Sequence, residues 1–217
     1  MAADRDVRRL ISDLVAAVDP FDAREAADQA DMLGWLASGR QLFRTAPPAT
    51  PPKHLVVYFV PVDAANRCLL LGEHRKSGLW LRPGGHVEDG EDPRQAVRRE
   101  ADEELGISAE FHPGLGGESP FFLTVTPTTG PDSHLDVDLW FALRVGRETR
   151  LTPDPREFNN VRWFDLDQPT WNQPDRNQPD RNQSAWNQPD QPSRGYDPEM
   201  GRFAAKLRQA LAPPSRM

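Results

Sequence analysis

Near the N-terminus, Val7, Leu10, Ile11, Leu14, Val15 and Val18 recur at helical spacing. Residues three and four apart share a helix face, so the run predicts an amphipathic helix. Asp4 is the expected cap, and Asp19-Pro20 ends the segment. A second helix is expected from Asp22 to about Ser38. The apolar faces of such a pair pack on a main domain or a partner subunit. Asp22, Glu25, Asp28 and Asp31 disfavour a DNA-binding helix pair. Pro47 to Pro52 reads PPATPP, a stiff linker.

Beyond the linker the pattern becomes that of strands. His54 to Val62 is rich in Val, Tyr and Phe, and the turn Asp63 to Arg67 leads to a second run, Cys68–Arg75, so these form a hairpin. Leu79–Leu81 is a short strand entering the turn at Pro83-Gly84-Gly85. A helix follows from Pro93 to Leu105, with Asp92 as N-cap, Pro93 at its first position and Gly106 as its stop. Phe121–Thr126, Asp136–Arg144 and Asn160–Phe164 are further strands, and Glu199–Leu211 is a closing helix. Strands with interspersed helices indicate an α/β or α+β fold with a mixed sheet.

Residues 172–191 read NQPDR-NQPDR-NQSAW-NQPDQ, with a period of five. The units lack the aliphatic residue that a folded repeat needs for a core, which predicts a disordered low-complexity insertion. The expected organisation is a helical extension (1–46), the linker (47–52), one domain (53–211) interrupted by the repeat, and a tail (212–217).

Composition narrows the function. There are 33 acidic against 26 basic residues, a formal net charge of −7. An anionic surface repels nucleic acid and anionic membrane, so neither is an expected partner. A phosphate-bearing ligand would need a local cation. Cys68 is the only cysteine, so neither an internal disulfide nor a thiolate zinc cluster is available. No run of signal-peptide or membrane-spanning character stands out, and the cytoplasm is the expected location.

The candidate chemistry lies in Gly84 to Ile107, GGHVEDGEDPRQAVRREADEELGI. At ~100° per residue, Val97, Ala101 and Leu105 form the apolar stripe of the helix. Glu104 falls within ~20° of Val97 and Glu100 within ~60°, while Asp102 points away. Two carboxylates beside a buried seam repel each other and are desolvated. A divalent cation removes both costs, and an all-oxygen donor set suits Mg²⁺ or Mn²⁺.

With its spacing included, the stretch resembles the Nudix hydrolase signature, G-x5-E-x7-R-E-U-x-E-E-x-G-U, where U is bulky and apolar. Gly85, Glu91, Arg99, Glu100, Ala101, Glu103, Glu104, Gly106 and Ile107 fill it in order, Ala101 being small for its apolar position. The likeness extends from about Lys53 to Leu211 and leaves out the N-terminal helices. It implies an α/β/α sandwich with a mixed sheet, and metal-dependent hydrolysis of a nucleoside diphosphate linked to another group. It further implies Glu100 and Glu104 as principal metal ligands, with Glu103 and the Gly84 carbonyl beside them, and Arg99 paired with Glu91 to orient the carboxylates. Glu100 is the first candidate for the general base. Glu118, Asp154 and Glu157 are open alternatives from outside the box.

Substrate-binding candidates surround the box. His74, Arg75, Lys76, Arg82 and His86 are basic groups near its entrance, able to hold phosphates or simply to solvate a loop. Tyr58, Trp80 and Trp140 are candidates for stacking on a base, or for the core. Asp136 and Asp138 alternate onto one strand face with His134 in register, an extra metal or base-recognition site or else the polar side of a half-exposed strand. The expected partner is a nucleotide-type small molecule, and a homodimer is compatible with the family. A noncatalytic sensing module on the same fold is the alternative function, but such modules commonly lose box carboxylates and none is lost here. A scaffold assembled through the repeat is a weaker third reading, disfavoured by its prolines.

Overall fold

The computed structural model describes residues 2–46, 50–128, 133–168 and 195–212. The Asn-Gln repeat and residues 47–49 lie outside the described residues. In chain order the elements are helices α1 (Ala2–Ala16) and α2 (Ala23–Ala37), strands β1 (Lys53–Asp63), β2 (Cys68–His74), β3 (Trp80–Leu81) and β4 (Gly84–His86), helix α3 (Pro93–Leu105), strands β5 (Phe122–Pro127), β6 (Leu135–Arg144) and β7 (Phe158–Asp165), and helix α4 (Met200–Ala210).

The strands form one mixed sheet with the spine β3-β2-β1-β6-β5. β1 runs parallel to β6 along their length, from Lys53 beside Leu135 to Val62 beside Arg144. The expected hairpin is present, but β1 and β2 pair only next to the turn, at Val62–Leu69 and Asp63–Cys68. Past that point β1 takes up β4, and β2 takes up β3 and β7. This divergence opens the centre of the sheet where the glycine turn enters.

Alternation along β1 feeds two cores. Leu55, Val57 and Phe59 face one side, with Val97, Ala101 and Leu105 of α3 and with Ile11, Val15, Met32 and Leu36 of the N-terminal helices. Val60 and Val62 face the other, with Trp140, Phe122 and Met200, Phe203, Ala204 and Leu207 of α4. Helices therefore cover both sheet faces, the α/β/α layering expected. The N-terminal pair shares the main core, which decides between the two surfaces its apolar faces could have covered.

Several sequence readings change in detail. α1 begins at Ala2, so Asp4 lies inside the helix. Ala46 and Thr50, on either side of residues 47–49, bridge antiparallel. β4 carries too few residues and too much glycine to show a strand pattern, and pairing with β1 makes it one. The caps of α3 are as read: Asp92 accepts from the Arg94 N–H, and Gly106 is left-handed at φ 65°.

Candidate active site

The site forms where α3 crosses the glycine turn. Gly84 sits at φ +139°, and a Cβ there would lie 2.2 Å from the Val57 carbonyl oxygen. A Cβ on Gly85 would lie 2.5 Å from Glu100 Oε1. The two glycines thus let the turn press against β1 on one side and against the helix carboxylates on the other. Glu104 Oε2 accepts the Gly84 N–H at 2.7 Å, which ties the helix to the turn.

Arg99 organises the other carboxylates. Its Nε and Nη2 meet Glu91 Oε1 and Oε2 at 3.2 and 3.0 Å, a two-point grip. Its Nη1 donates to Glu100 at 2.6 Å, and Nη2 also donates to the His86 carbonyl at 3.1 Å. Glu103 lies 3.6 Å from the same guanidinium and is more than half exposed. Helical projection placed these groups well: Glu104 is buried, Glu100 is half-buried and Asp102 is exposed.

Burial sets the electrostatics. Desolvation lifts the Glu104 carboxyl to about 8, opposed by the Gly84 N–H and assisted by the charges of Glu100, Glu157 and Asp154. Desolvation also raises Glu100, against the pull of Arg99. Buried carboxylates that resist ionisation on their own are stabilised by a shared cation. The donors are oxygens throughout, so the residues present fit a hard divalent ion.

These features match one known pattern over most of the folded chain: the NUDIX domain family model covers residues 52–186. The chain belongs to the NUDIX domain family. Among curated proteins, Nudix hydrolase 25 of Arabidopsis thaliana is 34% identical over 109 residues, covering 45% of this chain and 58% of that protein. The RNA pyrophosphohydrolase of Gluconacetobacter diazotrophicus is 32% identical over 100 residues, covering 41% of this chain and 58% of that protein. The chain thus spans less than two thirds of the length of these relatives. Among solved structures, a MutT NUDIX hydrolase from Burkholderia pseudomallei aligns with 53% of this chain and 84% of that one, at 23% identity and a TM-score of 0.43.

The three NUDIX acids outside the box separate in space. Asp154 and Glu157 stand by the C-terminal end of α3: the Asp154 N–H donates to the Glu104 carbonyl at 2.9 Å, and both charges act on the Glu104 carboxyl. Arg75 donates to the Pro155 carbonyl and, through its N–H, to the Glu157 carbonyl, so it holds this loop in place. Glu118 instead pairs with Arg98 at 2.5 Å and Arg94 at 3.7 Å, on another side of the helix.

Among the basic candidates, Arg82 sits elsewhere than at the box entrance where the sequence reading put it. Arg82 is buried, its guanidinium 3.8 Å from the ring centres of both Tyr58 and Trp140, and it pairs with Asp197 and Asp138. Its charge is neutralised within the fold. Trp80 is buried against Phe164 beneath Arg162, and Trp140 is fully buried. Tyr58 is the most open of the three aromatics, yet one ring face carries Arg82. Leu81 ends a strand, as read, and the side chain that follows it turns inward. Asp197, the acid that draws Arg82 inside, is 115 residues away in sequence and gave no local signal.

The expected alignment of Asp136 and Asp138 is present, and they do different things. Asp138 is buried and accepts from Thr124 and Thr126 at 2.7 and 2.9 Å; desolvation lifts it to about 7. Asp136 faces His134, His54 and His86 instead. Sequence reading passed over His54, visible only as the first strand's second residue. Register brings it to Asp136.

Proposed function

We propose that this protein hydrolyses a pyrophosphate bond in a nucleoside diphosphate linked to another group, with a divalent cation, Mg²⁺ or Mn²⁺, held by the box. The observation that carries the reading is the joined set of Gly84, Glu104, Glu100, Arg99 and Glu91, in which a buried and a half-buried carboxylate are aimed and held by a glycine turn and one guanidinium. The names of its relatives, a Nudix hydrolase and an RNA pyrophosphohydrolase, support the same chemistry.

Glu100 and Glu104 would hold the cation, with Glu103 and the Gly84 carbonyl completing the protein's share. Bound there, it supplies charge neutralisation for the pyrophosphate oxygens in an otherwise anionic protein. The remaining work falls to the chain. Arg99 fixes the Glu100 carboxylate while its other nitrogens hold Glu91 and the His86 carbonyl, so the acceptor oxygen does not swing. A water attacking phosphorus in line loses its proton to a nearby carboxylate, and Glu100 is the assigned base, its basicity raised by burial. Asp154 and Glu157, close to Glu104, are the carboxylates beside the site from which a base outside the box would come. Of the entrance candidates, His86 lies nearest the box, since its backbone belongs to the turn and its carbonyl accepts from Arg99.

The test is a screen of dinucleoside polyphosphates, nucleoside triphosphates, nucleotide sugars and 5′-triphosphorylated RNA, with products identified by mass. Cleavage of one class with Mg²⁺ or Mn²⁺ and none with chelator is expected. Binding of nucleotides without turnover of any class would favour the sensing module.

A further inference from the structure

A second donor cluster lies on the sheet, outside the carboxylate box. His54 of β1 pairs in register with Asp136 of β6, and His86 of β4 sits across from Val56 on β1's other flank. His134 precedes β6 and returns to Asp136. One ligand atom from each of the four lies within 4.8 Å of the rest. The His54 and His86 Nε2 atoms are 3.1 Å apart, and Asp136 Oδ1 is 3.4 Å from His54 Nε2 and 3.2 Å from His134 Nε2. Donors at ~2.0–2.1 Å from a tetrahedral Zn²⁺ stand ~3.3–3.4 Å from each other. Three of the edges are already near that length.

Hydrogen bonds at the far side of two rings orient them, and that of His54 also assigns its protonated nitrogen. His54 Nδ1 lies 2.8 Å from the Pro51 carbonyl, which can only accept, so Nδ1 carries the proton and Nε2 a lone pair. His134 Nδ1 lies 3.1 Å from Thr128 Oγ1, whose own hydroxyl donates to the His134 carbonyl at 3.3 Å. Thr128 thus holds the His134 ring from its outer nitrogen, with Nε2 toward Asp136. The inward Nε2 of His54 meets Asp136 Oδ1, which is sealed from solvent. The His54 lone pair and the Asp136 oxygen are both acceptors and stand 3.4 Å apart, and a cation between them relieves that repulsion. Outer hydrogen bonds that fix ring tautomers are a regular feature of histidine metal sites.

We propose that His54, His86, His134 and Asp136 bind a first-row transition-metal ion of the Zn²⁺ type, at a site separate from the oxygen-only box. Three imidazoles and one carboxylate select against Mg²⁺, which prefers oxygen donors and keeps its waters. The ion would clamp β1, β4 and the start of β6. Its ligand His86 has its carbonyl on Arg99 and follows Gly84 by two residues, so the clamp would also steady the turn on which Glu104 is anchored.

The experiment uses the full chain, stripped with chelator and titrated with Co²⁺ alone, then with Zn²⁺. Expected are one equivalent of Co²⁺ with the intense visible absorption of a tetrahedral ion, its displacement by Zn²⁺, and a higher melting temperature with Zn²⁺. His134→Ala and Asp136→Asn, at ligands that are not fully buried, are expected to weaken binding by about 100-fold or more, beyond the ~10–100-fold typical of losing an outer partner. Glu104→Gln is expected to leave the Co²⁺ spectrum unchanged. A weak octahedral spectrum in the wild type would overturn the site whether or not either variant folds. So would Co²⁺ binding that survives His134→Ala and disappears in Glu104→Gln.

Discussion

Glu104 is protonated near neutrality when no cation is present, because burial lifts its carboxyl to about 8. The sign of the pH effect follows. A carboxyl raised in the folded state adds relative stability below its unfolded pKa, and that stability is lost as pH rises toward 8. In chelator, Glu104→Gln is therefore expected to match the wild type near pH 4 and to melt a few degrees higher near pH 8.5. Thermal unfolding across that range checks it, and a variant less stable than the wild type at high pH would contradict the assigned burial cost. Gly85→Ala acts on the neighbouring oxygen. Its Cβ would fall 2.5 Å from Glu100 Oε1, and displacing that carboxylate by ~1 Å is expected to lower turnover about 10²-fold. Steady-state rates read beside an unchanged circular dichroism spectrum decide it.

The element most easily misjudged is α2. Its Asp22 caps the helix and also pairs with Arg202 of α4 through both carboxylate oxygens, at 2.9 and 2.6 Å. Three residues on, Glu25 is fully buried. It accepts the Phe21 N–H, the Leu123 N–H of edge strand β5, and Lys206 of α4. An acid with no visible purpose in the amphipathic pattern thus covers a sheet edge and joins three elements. Glu25→Ala removes one partner of a buried ion pair and strands two backbone donors. It is expected to cost ~3–5 kcal/mol in urea unfolding, whereas an exposed acid on the same helix would cost little. α3 was legible to the residue because its cap, proline, stripe and stop all agree. β4 was not, because three residues of glycine and histidine become a strand only through β1.

At the scale of the whole molecule, local pattern located the box and most strands, and the likeness to the Nudix signature implied the layers. What it could not supply were contacts fixed by long-range closure: Asp197 drawing Arg82 inside, His54 meeting Asp136, and the N-terminal pair sealing β5. Each depends on sheet register or on charges far apart in sequence. No helix among the described residues is long and apolar enough to cross a membrane. Because Ile11, Val15, Met32 and Leu36 belong to the same core as Val97 and Ala101, removing residues 1–46 would uncover that core. The truncated chain is expected to be insoluble or to lose its cooperative melt. A truncated protein with a wild-type melting profile would show that the helices are an independent appendage.

On the proposed mechanism, box carboxylates hold the cation that makes pyrophosphate cleavage run. The most direct measurement compares Mg²⁺-dependent turnover of the best substrate by the wild type, Glu100→Gln and Glu104→Gln, each shown to be folded. The account predicts a loss of ~10²–10⁴-fold for Glu100→Gln, the range set by removing a general base, and a loss for Glu104→Gln that excess Mg²⁺ only partly restores. Full activity in both variants would contradict it.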